Sequence, residues 1–207
     1  YFKLDEKFKK LFMKILSDKI QKKFGKNLLI NESLSKYSWF NLGGPAKILF
    51  KPDTKEQLKD FLIDVKDSLK IICLGAGSNT LIRDGGVNGA VIKLSSKFSF
   101  IKLEKDIIEV GAATLDKTLS RFASENSISG FEFLSCIPGS VGGAIIMNSG
   151  CYGDEISNIL CSVKTINFKG VEREFKRDEI KLFYRGTDLP KDIIILSAKF
   201  KIEKKSQ

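Results

Sequence analysis

The residues best suited by type and spacing to bind a ligand are Gly75, Ala76 and Gly77, followed by Ser78 and Asn79. With almost no side chain in the way, successive backbone N–H groups can converge on an anion. The Ser78 hydroxyl and the Asn79 amide add donors. A diphosphate suits such a loop. A dinucleotide fingerprint would need a third glycine where Thr80 stands and a helix directly after it, and Gly85 and Gly86 break that helix. A P-loop would need a Gly-Lys-Ser/Thr ending, which does not follow. The alternative reading is a tight strand-to-strand turn with no ligand.

A second glycine-rich stretch, Cys136 to Gly153, moves the balance towards a ligand. Pro138 and Gly139 turn the chain, and the apolar segment after Ser140 can begin a helix with its free N–H groups facing outward. Two anion sites in one domain suggest a cofactor with two phosphates and a long body, a dinucleotide rather than a mononucleotide.

The 207 residues contain no histidine. That excludes Ser-His-Asp and Cys-His nucleophiles, any His-bearing zinc site and a histidine-linked flavin. Acid–base chemistry must use carboxylates, Lys, Tyr, Cys, Ser or a cofactor. The cysteines Cys73, Cys136, Cys151 and Cys161 lack metal-type spacing, so no metal site is expected and reduced, packing thiols of a cytosolic protein are. The net charge of +10 comes mainly from scattered lysines, and the phenylalanines fall at apolar-periodic positions rather than in a basic-aromatic stripe. Nucleic acid is therefore not the expected partner. No apolar run approaches membrane-spanning length and no signal peptide is visible, so a cytoplasmic protein off the membrane is expected.

Several elements must position these loops. Residues 1–24 read as an amphipathic helix with Phe8, Leu11, Phe12, Ile15, Leu16 and Ile20 on one face and Gly25 as its stop. Gly43-Gly44-Pro45 marks a turn into a strand from Ala46 to Phe50. Thr54 and Gln57 are spaced as a capping box for a helix burying Leu58, Phe61, Leu62, Val65 and Leu69. A buried strand at 71–74, the glycine loop and a strand at 90–94 complete a small α/β unit. Then come paired strands at 98–103 and 107–111, and a helix capped by Thr114 with Leu115, Leu119, Phe122 and Ala123 inward. Antiparallel strands at 163–168, 171–175 and 193–202 close the chain.

Four segments together resemble the UDP-N-acetylenolpyruvoylglucosamine reductases (MurB): 40–46, 74–86, 137–150 and Tyr184-Arg185. Those are FAD enzymes of peptidoglycan precursor synthesis. The resemblance implies an α+β, two-lobed FAD-binding fold of the PCMH/vanillyl-alcohol-oxidase type. A small α/β lobe at 28–94 and a larger, mainly antiparallel lobe at 95–207 would follow an N-terminal helix at 1–27. Gly75, Ala76, Gly77, Ser78 and Asn79, with Thr80 and Leu81, would hold the diphosphate of non-covalent FAD. Ile137, Pro138, Ser140, Gly142, Gly143, Ala144, Asn148 and Gly150 would line the other side, with Ile195 near the flavin. NADPH would supply hydride for the enolpyruvyl double bond of a UDP-sugar. Arg185 would stabilise the enolate, and Tyr184 would line the substrate site.

The family's proton-donor motif, Gly-Ser-x-Phe-Lys-Asn-Pro, does not occur in the 207 residues, and the chain starts at Tyr1 rather than Met. The expectation is a monomeric FAD-binding part without the substrate domain, catalytically incomplete by itself. Asp154 and Glu155 are read as solvated loop charges rather than the missing acid. Two other readings stay open. One is another FAD oxidoreductase of this fold acting on a small alcohol or hydroxy acid. The other is a non-enzymatic module using its basic face.

Overall fold

A computed structural model describes residues 18–65 and 68–204. Residues 1–17 of the expected N-terminal helix, with Phe8, Leu11, Phe12, Ile15 and Leu16, lie outside the described residues. Residues 18–24 are helical (α1), and Gly25 follows with a φ of +53°, as expected of a helix stop. Ile20 and Phe24 are buried on the inner face.

The first sheet has the order β1-β2-β4-β3. Its strands are β1 (Leu28–Ser33), β2 (Pro45–Phe50), β3 (Ile71–Cys73) and β4 (Val87–Ile92). β1 runs antiparallel to β2, while β4 is parallel to both β2 and β3. A parallel return needs a crossover, and helix α2 (Lys55–Val65) supplies it. Its start is fixed by the Gln57 N–H donating to Thr54 Oγ1 at 3.2 Å. The Gln57 side chain accepts from the Asp53 N–H at 2.9 Å, one residue upstream of the reciprocal box the spacing suggests. Leu58, Phe61, Leu62 and Val65 are buried, and the Phe61 ring stacks on Phe50 at 4.1 Å between centroids.

The second sheet is antiparallel throughout, in the order β11-β10-β14-β6-β5. It contains β5 (Ile101–Glu104), β6 (Ile107–Gly111), β10 (Leu160–Asn167), β11 (Glu172–Lys176) and β14 (Ile193–Lys201). Helices α3 (Asp116–Glu125), α4 (Val141–Ile146) and α5 (Ile156–Ile159) fill the long connection between β6 and β10. Three short antiparallel pairs remain: β7 (Ile128–Ser129) with β15 (Glu203–Lys204), β8 (Gly150–Cys151) with β9 (Asp154–Glu155), and β12 (Leu182–Phe183) with β13 (Gly186–Thr187). One buried cluster joins Ile48, Phe50 and Ile92 of the first sheet to Ile166, Ile194 and Leu196 of the second, so the two sheets share apolar contacts. Among the described residues, no helix is long and apolar enough to cross a membrane.

The α+β class expected from the sequence is the one adopted, with three local corrections. The strand ending at Leu74 is an edge strand rather than a fully buried one, because β3 pairs only with β4. Thr114 does not cap α3: its hydroxyl donates to the Phe100 carbonyl at 3.2 Å, and the N-cap is Leu115, without a side-chain bond. Leu115 is consequently half-exposed, and the buried face of α3 is carried by Asp116, Leu119, Ser120 and Ala123.

Candidate cofactor-binding site

Parallel strands β3 and β4 stop at the same edge, with Cys73 paired to Ile92. Ligands in sheets of this kind gather beyond the carboxyl ends of the strands. The glycine loop follows β3 there, and Lys93 follows β4.

The loop is polarised. Three of its carbonyls are held from one side or the other: Gly75 O by the Lys93 ammonium at 2.5 Å, Gly77 O by the Trp39 N–H at 3.1 Å and Thr80 O by the Ser38 hydroxyl at 3.3 Å. In contrast, the N–H groups of residues 75–79 have no acceptor among the described residues. Carbonyls engaged and amides free is the arrangement of an anion-binding nest. Gly77 is forced on two counts. Its φ is +76°, and a Cβ there would come 2.0 Å from Tyr37 O.

Residues 75–80 form one wall of a cavity of about 830 Å³, within the size range of small-molecule and cofactor sites. Ile137, Pro138, Ser140, Gly142, Gly143, Ala144 and Gly150 form the facing wall, and Ile195 and Arg185 also border the space. The two walls meet closely: a Cβ on Gly75 would lie 2.9 Å from Ser140 Oγ. The second stretch is only in part the free helix end that the sequence suggests: among the described residues the Ser140 and Gly143 N–H groups have no acceptor, and both residues border the cavity. Two of the first amides of α4 are engaged, Val141 N–H with Thr114 O at 2.9 Å and Gly142 N–H with Ala112 O at 3.0 Å. Gly142 serves close packing, since its Cβ would stand 3.1 Å from the Ala112 Cβ.

Tyr184 and Arg185 form the two-residue tip of the β12–β13 hairpin, with Arg185 at a φ of +59°. The Arg185 guanidinium lies 5.4 Å from the centre of the Tyr184 ring, and among the described residues it has no carboxylate partner. Tyr184, at 85% exposure, does not border the cavity, and neither does Leu81. Asn148 is buried behind the wall. Its amide donates to Phe183 O at 3.3 Å and its Oδ1 accepts from the Ser157 N–H at 3.0 Å, so it ties the hairpin to α5 instead of facing the cavity.

Two charged residues that border the cavity escape sequence reasoning. Lys93 closes an apolar parallel strand at its carboxyl end, which is a legible signal in retrospect. Burial and the nearby charge of Lys51 lower its pKa. Asp116 is fully buried at the start of α3, and neither carboxylate oxygen has a hydrogen-bond partner among the described residues. Its Oδ2 sits against Gly139, where a Cβ would come within 2.5 Å. Burial alone pushes its carboxyl up to about 7.

The cavity has the free amides, the close backbone walls and the size that a dinucleotide needs, and the comparisons agree with that fit. The chain is 47% identical over 172 residues to the UDP-N-acetylenolpyruvoylglucosamine reductase of Rickettsia massiliae, covering 83% of this chain and 58% of that protein. The reductase of that name from Rickettsia prowazekii is 46% identical over 172 residues, with the same coverage. The chain thus spans a little under three-fifths of the length of these relatives. The crystal structure of the Thermus caldophilus UDP-N-acetylenolpyruvylglucosamine reductase (MurB) superposes with a TM-score of 0.75 at 31% identity, over 86% of this chain and 62% of that one. An alkyldihydroxyacetonephosphate synthase superposes with a TM-score of 0.62 at 15% identity, over 92% of this chain and 40% of that one, a likeness of fold alone. Residues 46–175 match the family described as FAD binding domain, and the chain belongs to that family.

Proposed function

We propose that this chain binds FAD non-covalently and is the FAD-binding part of a UDP-N-acetylenolpyruvoylglucosamine reductase. The observation that carries the reading is the first glycine loop, with its carbonyls held, its amides free and a cofactor-sized cavity beside it. In this reading the segments 28–94 and 95–207 are two lobes that grip the cofactor from opposite sides. The amides of 75–79 hold the diphosphate, and the wall from Ile137 to Ala144 excludes water from the other side. Bound FAD supplies hydride transfer from NADPH to the enolpyruvyl double bond of the UDP-sugar. Arg185, a cation at the cavity edge without an ion pair among the described residues, stabilises the negative charge that develops on the substrate's carboxyl-conjugated carbon framework. Tyr184 beside it contacts the substrate. The substrate and the nicotinamide donor imply work in the cytoplasm, with the chain as a monomer. Likeness to reductases of that name supports the reading.

The test is the visible spectrum of the purified chain, with titration of added FAD. Flavin bands, or quenching of flavin fluorescence with micromolar affinity, about −8 kcal/mol, are expected. No flavin band and no binding in that range would overturn the reading. A spectral change on adding the UDP-sugar, and none with small hydroxy acids, would separate the reductase from other oxidoreductases of the fold.

A further inference from the structure

Lys93 does something unusual for a lysine beside an anion loop: its ammonium bonds to a backbone carbonyl, Gly75 O, at 2.5 Å. It is half-buried, and no carboxylate lies within ion-pair distance among the described residues. Lys51 adds a second positive charge nearby. A partly desolvated cation with one carbonyl partner and a like-charged neighbour is costly to maintain, so its place calls for a role.

The peptide plane supplies that role. The chain has no cis peptide bonds among its described residues, so the carbonyl of Gly75 and the N–H of Ala76 point to opposite edges of one planar unit. Holding the carbonyl on one edge turns the Ala76 N–H to the other. The Trp39 N–H acts likewise on Gly77 O, and so turns the Ser78 N–H. Of these clamps only Lys93 is charged. A charge-assisted bond is the stronger kind, and polarising the carbonyl makes the N–H of the same peptide a better donor.

We propose that Lys93 is a positioning residue of the diphosphate subsite: its ammonium clamps the Gly75 carbonyl and thereby presents the Ala76 N–H to the diphosphate of the bound dinucleotide. This rests on the FAD reading above. Lys93 acts through the loop, so its loss should be felt by ligands that carry a diphosphate and not by those that lack one.

The experiment measures binding of FAD, ADP and riboflavin to the wild-type chain, Lys93→Met and Lys93→Arg, with the melting temperature of each. The expected result is a tenfold or greater loss of FAD and ADP affinity in Lys93→Met. Riboflavin binding should stay unchanged and the melting temperature should hold or rise, because a costly cation is removed, and Lys93→Arg should come back to within about threefold of wild type. Equal ADP affinity in wild type and Lys93→Met, or an equal loss for all three ligands, overturns the proposal while leaving the FAD reading intact. A wild-type chain that binds neither FAD nor ADP removes both. If Lys93→Met does not fold, Lys93→Gln, which keeps a neutral donor, is read the same way and should fall between Met and Arg.

Discussion

Among the described residues, every amide of the loop at 75–79 lacks an acceptor, whereas in the second stretch the amides of Gly139, Val141 and Gly142 donate to Ile137, Thr114 and Ala112 and only those of Ser140 and Gly143 stay free. The two stretches have similar composition and divide their duties differently. The first uses missing side chains to expose N–H groups. The second uses most of them for close packing, with Gly142 against Ala112 and Gly139 against the Asp116 carboxyl. Glycine content by itself therefore does not mark an anion site; the hydrogen-bond state of the amides does. It follows that changes at Gly139 and Gly142 should register mainly as stability, while changes at 75–79 should register in ligand affinity whatever they do to stability.

The largest effect is expected beneath the second stretch. Asp116 keeps its proton up to about pH 7 in the folded chain, while an unfolded aspartate releases it near 4. Between those values the folded state holds more protons, so stability falls as pH rises, with full stability below about 4 and the loss complete above about 7. The shift corresponds to roughly 4 kcal/mol. Asp116→Asn removes the titration, so denaturant melts of this variant should be flatter across pH 4–8 and the variant more stable than wild type at pH 8. Parallel pH curves for the two proteins would contradict this.

Next comes Gly77→Val in the first loop, whose Cβ would strike Tyr37 O in a conformation that L side chains rarely adopt. The melting temperature should fall, and FAD affinity of the folded fraction should fall at least 100-fold, about 3 kcal/mol, measured by fluorescence titration. Gly142→Ala is milder. Its Cβ meets Ala112 at 3.1 Å, a contact that a small shift relieves, and the expected cost is about 1 kcal/mol of stability, with FAD affinity changed less than tenfold. A Gly142→Ala protein with unaltered melting but lost FAD binding would erase the distinction between the stretches. Smallest of all, Arg185→Ala should leave the FAD dissociation constant within about twofold of wild type while abolishing any spectral response to the UDP-sugar.

Much of this arrangement was legible in the chain itself. Thr54 and Gln57 announce α2, Gly43-Gly44-Pro45 announces β2, and the loop at 75–79 reads as a nest from its residue types alone. The α3 region was not legible. Leu115, Leu119, Phe122 and Ala123 make a plausible apolar face, yet the helix is rotated so that Asp116 and Ser120 face inward and Leu115 borders the cavity. Tertiary contacts outweigh pattern there, because the Asp116 N–H donates to Gly139 O at 3.2 Å and Thr114 is drawn to Phe100. The engagement of the α4 amides could not be read either, since it depends on Thr114 and Ala112, distant in sequence. Asn148 stands inside the most family-like segment and still serves the hairpin.

The turn at Gly43–Pro45 and the turn at Asp84–Gly86 interlock. A Cβ on Gly44 would fall 1.8 Å from Asp84 O, and one on Gly86 would fall 1.9 Å from Pro45 O, whereas Gly85 has nothing within 4 Å. The consequence concerns which sequences this chain can drift through. Of two adjacent glycines one is free to become almost any polar residue and the other is fixed. Because the obstruction at each turn is the backbone of the other, no side-chain change elsewhere can relieve it. A deep mutational library selected for folded protein should therefore show Gly85 populated by many residue types and Gly44 and Gly86 by glycine alone, with no compensating pairs.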